Sequence, residues 1–428
     1  EQGCIASLED GVRRAGRAPR RFVLPGMPNL HSHAFQRAMA GLAEKRGPGD
    51  DSFWTWRETM YAFAARIGPE DLHAIAAQLY VEMLEAGYTR VCEFHYLHNA
   101  PDGKPYADPA AMSLALVEAA RETGIGLTLL PVLYQTGGFD GRPLGDRQRR
   151  FGLDTDPYLR LLERLRALQS PMLRIGIALH SLRAVPEPAM REVLASPHAR
   201  EGVIHIHVAE QLGEVQDCLA LRGARPLQWL FDHAEIDARW CLVHATHADA
   251  EEVRRIARSG AVAGLCPTTE ANLGDGLFPL ADFQDAGGAF GIGSDSHISV
   301  APVEELRWLE YGQRLAACRR NVAARRPGDS VGETLWRAAS LGGARAADIA
   351  PPGVGAPADL LVLDDESPLL AAREPGNAMD SFIFAGNVPL VRDVMAGGEW
   401  RVRDFRHRDR ERIASRYRGC VGALAARA

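Results

Sequence analysis

Eight short apolar runs, each carried to the next by a helical stretch, constrain this chain more than any other feature. They fall at residues 23–30, 91–96, 125–133, 174–180, 203–208, 240–245, 261–266 and 289–293. Between them a phrase recurs: an acidic residue or a proline opens a segment of helical apolar period and a glycine closes it. Pro69 begins one such segment, Leu72, Ile75, Leu79 and Met83 share its apolar face, and Gly87 stops it. Asp108 with Pro109, and Asp156 with Pro157, open two more. Apolar strands alternating with helices pair in parallel and are covered on their faces. Eight of them, over a span close to the roughly 250 residues usual for the architecture, predict an α/β fold of (β/α)8 TIM-barrel type. A doubly wound open sheet shares the local pattern but gives no reason for polar ligand types at so many strand ends.

Past the Pro- and Gly-rich residues 351–357 the rhythm changes to short strands. Residues 359–364 form one, and Val394 to Val402 reads as a hairpin turning at Gly397 and Gly398. These predict a small β-sandwich domain, to which residues 1–22, too few for a domain, add strands. The expected division is 1–22, a barrel over 23–350, and 351–428 as the rest of the β unit with a C-terminal helix. The first residue is Glu1 rather than Met, so an upstream piece is expected.

The chain has 428 residues, 46% of them apolar, enough for a barrel core and a companion unit. A net charge of -6 argues against nucleic acid, which needs a clustered excess of Lys and Arg. Seven scattered cysteines without a Cys-x-x-Cys pair fit a reducing compartment. With a mean hydropathy of -0.17 and no apolar signal core or membrane-length run, a soluble cytoplasmic protein is expected, away from membranes.

Chemistry gathers at the strand ends. His31 and His33 close the first run, and residues i and i+2 of a strand share a face, so both imidazoles can meet one cation. His207 ends the fifth run with Glu210 just beyond it, His244 ends the sixth, and Asp295 follows the eighth. His205 shares the inward face of the fifth run but lies deeper, as a packed residue. Imidazoles with a carboxylate suit one divalent metal, Zn(II) foremost, with Fe(II), Mn(II) or Co(II) as alternatives. Such a cation lowers the pKa of bound water from 15.7 to about 7, which points to hydrolysis. Lys45 and Lys104 are the only lysines, and neither stands at a strand end to bridge two metals, so a mononuclear site is expected.

Together, His31-Ser32-His33, His207-Val208-Ala209-Glu210, His244 and Ser294-Asp295 resemble the amidohydrolase superfamily in its mononuclear deaminase branch. Residues 27–37, Glu93 to Asn99 and Ser294 to His297 are similar to the formimidoylglutamate deiminases of histidine degradation. That resemblance covers nearly the whole chain. It implies hydrolysis of N-formimidoyl-L-glutamate to N-formyl-L-glutamate and ammonia, zinc as the usual metal, and a homodimer. His31, His33, His207 and Asp295 would be the ligands. Asp295 would also take a proton from the attacking water, His244 would stabilise the tetrahedral intermediate, and Glu210 would protonate the leaving nitrogen.

A dianionic small-molecule substrate calls for fixed cations of bidentate geometry, which favours arginine over lysine. Arg57 and Arg183, in the loops after the first and fourth runs, fit that need, with Gln36, Tyr96 and His180 as further substrate contacts. His95, His98, His247 and His297 are expected to be loop or supporting residues, Cys266 a packing residue, and the segment from Cys266 to Glu270 has no derivable role. Two rival readings remain. A deaminase of a nucleobase or other aminated heterocycle would share the metal site but want stacking and amide contacts. A metal-free barrel with a binding role would need a broken ligand set.

Overall fold

The computed structural model describes residues 3–8, 22–46 and 53–426. Its strands are Val23–Pro25 (β1), Met27–Ser32 (β2), Tyr88–His95 (β3), Gly126–Leu133 (β4), Leu173–Ile175 (β5), Ile177–Ser181 (β6), Ile204–Val208 (β7), Trp240–His244 (β8), Val262–Leu265 (β9), Ala289–Ile292 (β10), Leu360–Leu363 (β11), Val391–Ala396 (β12), Glu399–Arg403 (β13) and Arg406–His407 (β14). Strands β2 to β10 pair in parallel in the order β2-β3-β4-β6-β7-β8-β9-β10, with β5 also on β4. β5 and β6 are one barrel strand interrupted at Gly176, where a Cβ would lie 2.6 Å from Leu130 and 2.9 Å from the Val203 carbonyl. The ends of the sheet meet at its carboxyl side: Asp295 N–H donates to His31 O at 3.0 Å and His33 N–H donates to Asp295 O at 3.2 Å. The expected barrel of eight parallel strands is thereby nearly closed.

Helix Pro69–Ala86 begins and ends where the sequence predicts, Gly87 stopping it at φ 109°, a conformation that favours glycine. Helix Val331–Ala346 lies across the seam on both β10 and β2, and Gly342 lets it approach β10 so closely that a Cβ there would stand 1.9 Å from Phe290 O. Its last residue caps the barrel floor, where Ala346 O faces His205 Nε2 at 2.8 Å; His205 is the packed residue its depth predicts.

The run expected at 23–30 divides at Gly26. β1 leaves the barrel and pairs antiparallel with β11, while β2 enters it. The chain crosses between the two sheets too close to Thr89 for a side chain, since a Cβ at Gly26 would lie 2.3 Å from Thr89 Oγ1. The small unit is an antiparallel sheet, β1-β11-β12-β13-β14, drawn from both ends of the chain, with the hairpin turning at Gly397 and Gly398, φ 58° and 81°. Among the described residues it has one layer rather than the two of a sandwich. Helix Pro69–Ala86 and the residue that ends it cover the sheet: a Cβ at Gly87 would touch Leu361 and Val391. The C-terminal helix, Arg410–Ala426, packs on that same helix. Of the expected N-terminal strands, Cys4 bridges to Pro357, and residues 9–21 lie outside the described residues. No helix among the described residues is long and apolar enough to cross a membrane.

Candidate metal centre and catalytic cleft

Parallel strands deliver their last side chains to one mouth, and three of these ends turn sharply there. Ala209, His244, Ala245 and Asp295 have φ of 52°, 67°, 50° and 43°, values that residues with a Cβ adopt at a cost of about 1–3 kcal/mol each. Cross-strand bonds hold them, among them Ala245 N–H to Val208 O at 3.1 Å and His247 N–H to Ala209 O at 3.0 Å. Strain of this kind redirects side chains that a straight strand would aim elsewhere.

The Nε2 atoms of His31 and His33 are 3.1 Å apart, and those of His31 and His207 3.0 Å. Asp295 Oδ1 lies 3.6 Å from His31 Nε2 and 3.3 Å from His33 Nε2. His33 Nδ1 faces the Phe94 carbonyl and His207 Nδ1 the His180 carbonyl, each at 2.9 Å. Those carbonyls can only accept, so each imidazole carries its proton on Nδ1 and turns an Nε2 lone pair inward. Burial drives His31 and His207 well below the usual histidine range and His33 to about 3, so all three are neutral at pH 7. A neutral His31 has one proton to share with two lone pairs 3.0–3.1 Å away, and its own Nδ1 is buried without a partner. A cation relieves that crowding. Four donors around an ion at roughly 2.0–2.1 Å stand about 3.3 Å apart in a tetrahedron, which the 3.0–3.6 Å spacings match. The residues present fit one divalent metal.

Residues 22–401 match the amidohydrolase family.

The chain belongs to that family.

Among its curated relatives is a formimidoylglutamate deiminase of Pseudomonas aeruginosa, 56% identical over 418 residues, covering 97% of this chain and 91% of the relative. An 8-oxoguanine deaminase of the same organism is 30% identical, covering 96% and 89%. A crystal structure of an amidohydrolase from Brucella melitensis superposes with a TM-score of 0.93 at 46% identity, over 99% of this chain and 95% of that one.

Around the candidate metal centre of this amidohydrolase the structure assembles a cleft. Glu210 Oε1 and Asp295 Oδ2 lie 3.8 and 3.7 Å from His244 Nε2, and Glu270 Oε1 lies 3.3 Å from His244 Nδ1. Burial opposes a charge on His244, but the Glu210, Glu270 and Asp295 carboxylates outweigh it and raise the imidazole to about 10. Asp295 is raised to about 7, by burial first, with His244 holding it down. An imidazolium, a carboxylate poised near neutrality and a second carboxylate thus surround one point.

Gln36, Arg57, Tyr96, His180 and Arg183 all line the same cleft. Gln36 Nε2 donates to Tyr96 OH at 3.0 Å, and His180 packs against Tyr134 with ring centroids 4.4 Å apart. Arg57 stands on a helix, Phe53–Ala64, rather than in a loop, its guanidinium 5.3 Å above the Tyr61 ring. Burial lowers Arg57, and the positive charge of Arg183 lowers it further, so two guanidinium groups share this wall.

His95, His98 and His297 are buried beside the site without lining it. His98 Nε2 faces Val132 O at 2.9 Å, and His297 bridges Ser32 and Ser294 at 3.2 and 3.0 Å. Three buried glutamates beside these side chains have no role that the sequence assigns. Glu93 accepts from Ser32 Oγ and Ala34 N–H, each at 2.6 Å. Glu214 accepts from Ala209 and Glu210 N–H at 3.1 and 2.9 Å, and Glu270 meets His244. Only Glu214, on the first turn after Glu210, carries a local signal: a carboxylate able to cap the preceding turn.

Proposed function

We propose that this protein hydrolyses N-formimidoyl-L-glutamate to N-formyl-L-glutamate and ammonia, with zinc as its metal, in the cytoplasmic degradation of histidine. The observation that carries the reading is the pair Arg57 and Arg183 on the cleft wall beside the metal centre, in a chain 56% identical to a formimidoylglutamate deiminase. Two guanidinium groups suit the two carboxylates of the substrate, and the formimidoyl group then reaches the strand ends.

His31, His33, His207 and Asp295 would hold the metal, which when bound activates water as a Lewis acid. Asp295 presents Oδ1 to the histidines and Oδ2 to His244, a position from which it takes a proton as water adds to the formimidoyl carbon. The His244 imidazolium faces the water-derived oxygen and holds it by a hydrogen bond as the C=N electron pair moves onto the terminal nitrogen. Glu210, across from His244, relays the proton that Asp295 took to the terminal nitrogen of the substrate, which enters as its amidinium cation. The bond from carbon to that nitrogen breaks and ammonia leaves, while the hydroxyl proton passes to the Asp295 carboxylate as the formyl C=O forms and is then released to solvent. Gln36 and Tyr96 orient the formimidoyl group, and His180 closes the side near Tyr134.

Ammonia release from formimidoylglutamate, with the formyl proton of the product followed by NMR, tests the assignment against 8-oxoguanine, guanine and cytosine. A kcat/KM at least a hundredfold above that for every heterocycle is expected. Equal or reversed preference would replace this reading with a nucleobase deaminase.

A further inference from the structure

Glu270 takes no part in the scheme above, yet it is 5% exposed and stands directly behind His244. It belongs to the turn after β9, on the short helix Pro267–Leu273. Its Oε1 accepts from Cys266 N–H at 2.9 Å and faces His244 Nδ1 at 3.3 Å. Thr269 and Leu273 of the same helix line the cleft and Glu270 does not, so it touches His244 from the side away from substrate.

The turn itself is anchored on two sides. Thr268 donates through N–H and Oγ1 to the buried Glu305 at 2.9 and 2.6 Å. Thr269 Oγ1 accepts from Ser296 N–H at 3.2 Å and lies 3.0 Å from Ser296 Oγ, one residue from Asp295. His244, at φ 67°, has a ring direction that an ordinary strand end would not supply. An imidazolium donates from both nitrogens, so a carboxylate fixed at Nδ1 sets the direction in which Nε2 points.

We infer that Glu270 is the positioning residue of His244: held by Cys266 N–H, its carboxylate accepts from Nδ1–H and so directs Nε2 at Glu210 and Asp295. The inference rests on the hydrolytic role proposed for His244. It also gives the segment from Cys266 to Glu270 its function, since one turn indexes His244 through Glu270 and the Asp295 turn through Thr269.

The test is Glu270→Gln, alone and with His244→Gln, in the metal-loaded enzyme. A kcat lower by about 10- to 100-fold, with KM within about threefold, one metal per chain and an unchanged melting temperature, is expected. In the His244→Gln background the same substitution should cost less than about threefold more. Full additivity, or two metals per wild-type chain held by His244, Cys266 and Glu270, overturns the inference. Substrate plays no part in the second readout: in protein labelled with 15N-histidine, the downfield Nδ1–H resonance lost in His244→Gln should also move or vanish in Glu270→Gln. An unshifted resonance overturns the inference too. If the wild type releases no ammonia from formimidoylglutamate, the functional reading falls and the resonance alone judges Glu270. Should Glu270→Gln fail to fold, Glu270→Asp, which withdraws the carboxylate by one methylene, is read in the same way.

Discussion

Glu93, 2% exposed at the end of β3, shows what single buried groups contribute around this site. Burial raises it to about 7, although Ala34 N–H, Ser32 Oγ and Tyr80 OH bond its oxygens and pull the other way. In the unfolded chain a glutamate ionises near pH 4.3. The folded state therefore binds the extra proton, and stability from this group is full below about pH 4, falls as pH rises towards 7, and is level beyond. Glu93→Gln removes that dependence, so in urea melts the variant should gain on the wild type by on the order of 3 kcal/mol between pH 5 and pH 8. A constant difference would show the carboxylate ionised throughout. For Arg183→Ala or Arg57→Ala, KM for formimidoylglutamate should rise about 10- to 100-fold, the loss of a charge-assisted pair, with metal content unchanged by atomic absorption. His31, His33, His207, Glu210, His244 and Asp295 were readable because each stands at or just past an apolar run. Glu93 and Glu270 were not, since their partners are 59 and 26 residues distant and nothing local marks an acid that will be buried.

Elements meet here through glycines at the places where backbones nearly touch. Gly342 brings helix Val331–Ala346 against β10 with room for no methyl group, as the 1.9 Å approach to Phe290 O shows. Backbone cannot yield as a side-chain end does, so Gly342→Ala should cost about 3 kcal/mol or more, read as a lower urea midpoint at an unchanged m-value. A loss under about 0.5 kcal/mol would mean that the helix shifts freely on the barrel. The helices and strands were readable from period and punctuation. Pro69–Ala86 has its proline start and glycine stop, and Trp240–His244 is one unbroken apolar run closed by its histidine. The division at Gly26 was not, because residues 23–30 are apolar on both sides of it, Asn29 apart, and pairing with β11 on one side and β3 on the other separates them. The helix that carries Arg57 is hard to read for a similar reason: Phe53–Ala64 mixes aromatic residues and threonines, which favour strands, with helix formers.

At the scale of the molecule, the proposed metal centre would join ligands from the end of β2, from β7 and from the turn after β10, thus from both sides of the barrel seam. A bound ion should act as a clasp there. Chelation is expected to abolish ammonia release and lower the melting temperature by several degrees without unfolding the barrel, and one equivalent of zinc should restore both, since a ligand that binds only the folded state stabilises it. Recovery that needs two equivalents would argue for a second ion. The sequence by itself determined the class of fold, the identity of the strand ends and the chemical character of the site, because apolar period and ligand type are properties of short stretches. Tertiary structure alone decided which imidazole nitrogens face inward, that among the described residues the small unit is a single sheet covered by a helix, and that buried glutamates stand behind the reacting groups. Those depend on backbone turns at positive φ and on contacts between residues far apart in the chain, and they exist only once the barrel closes.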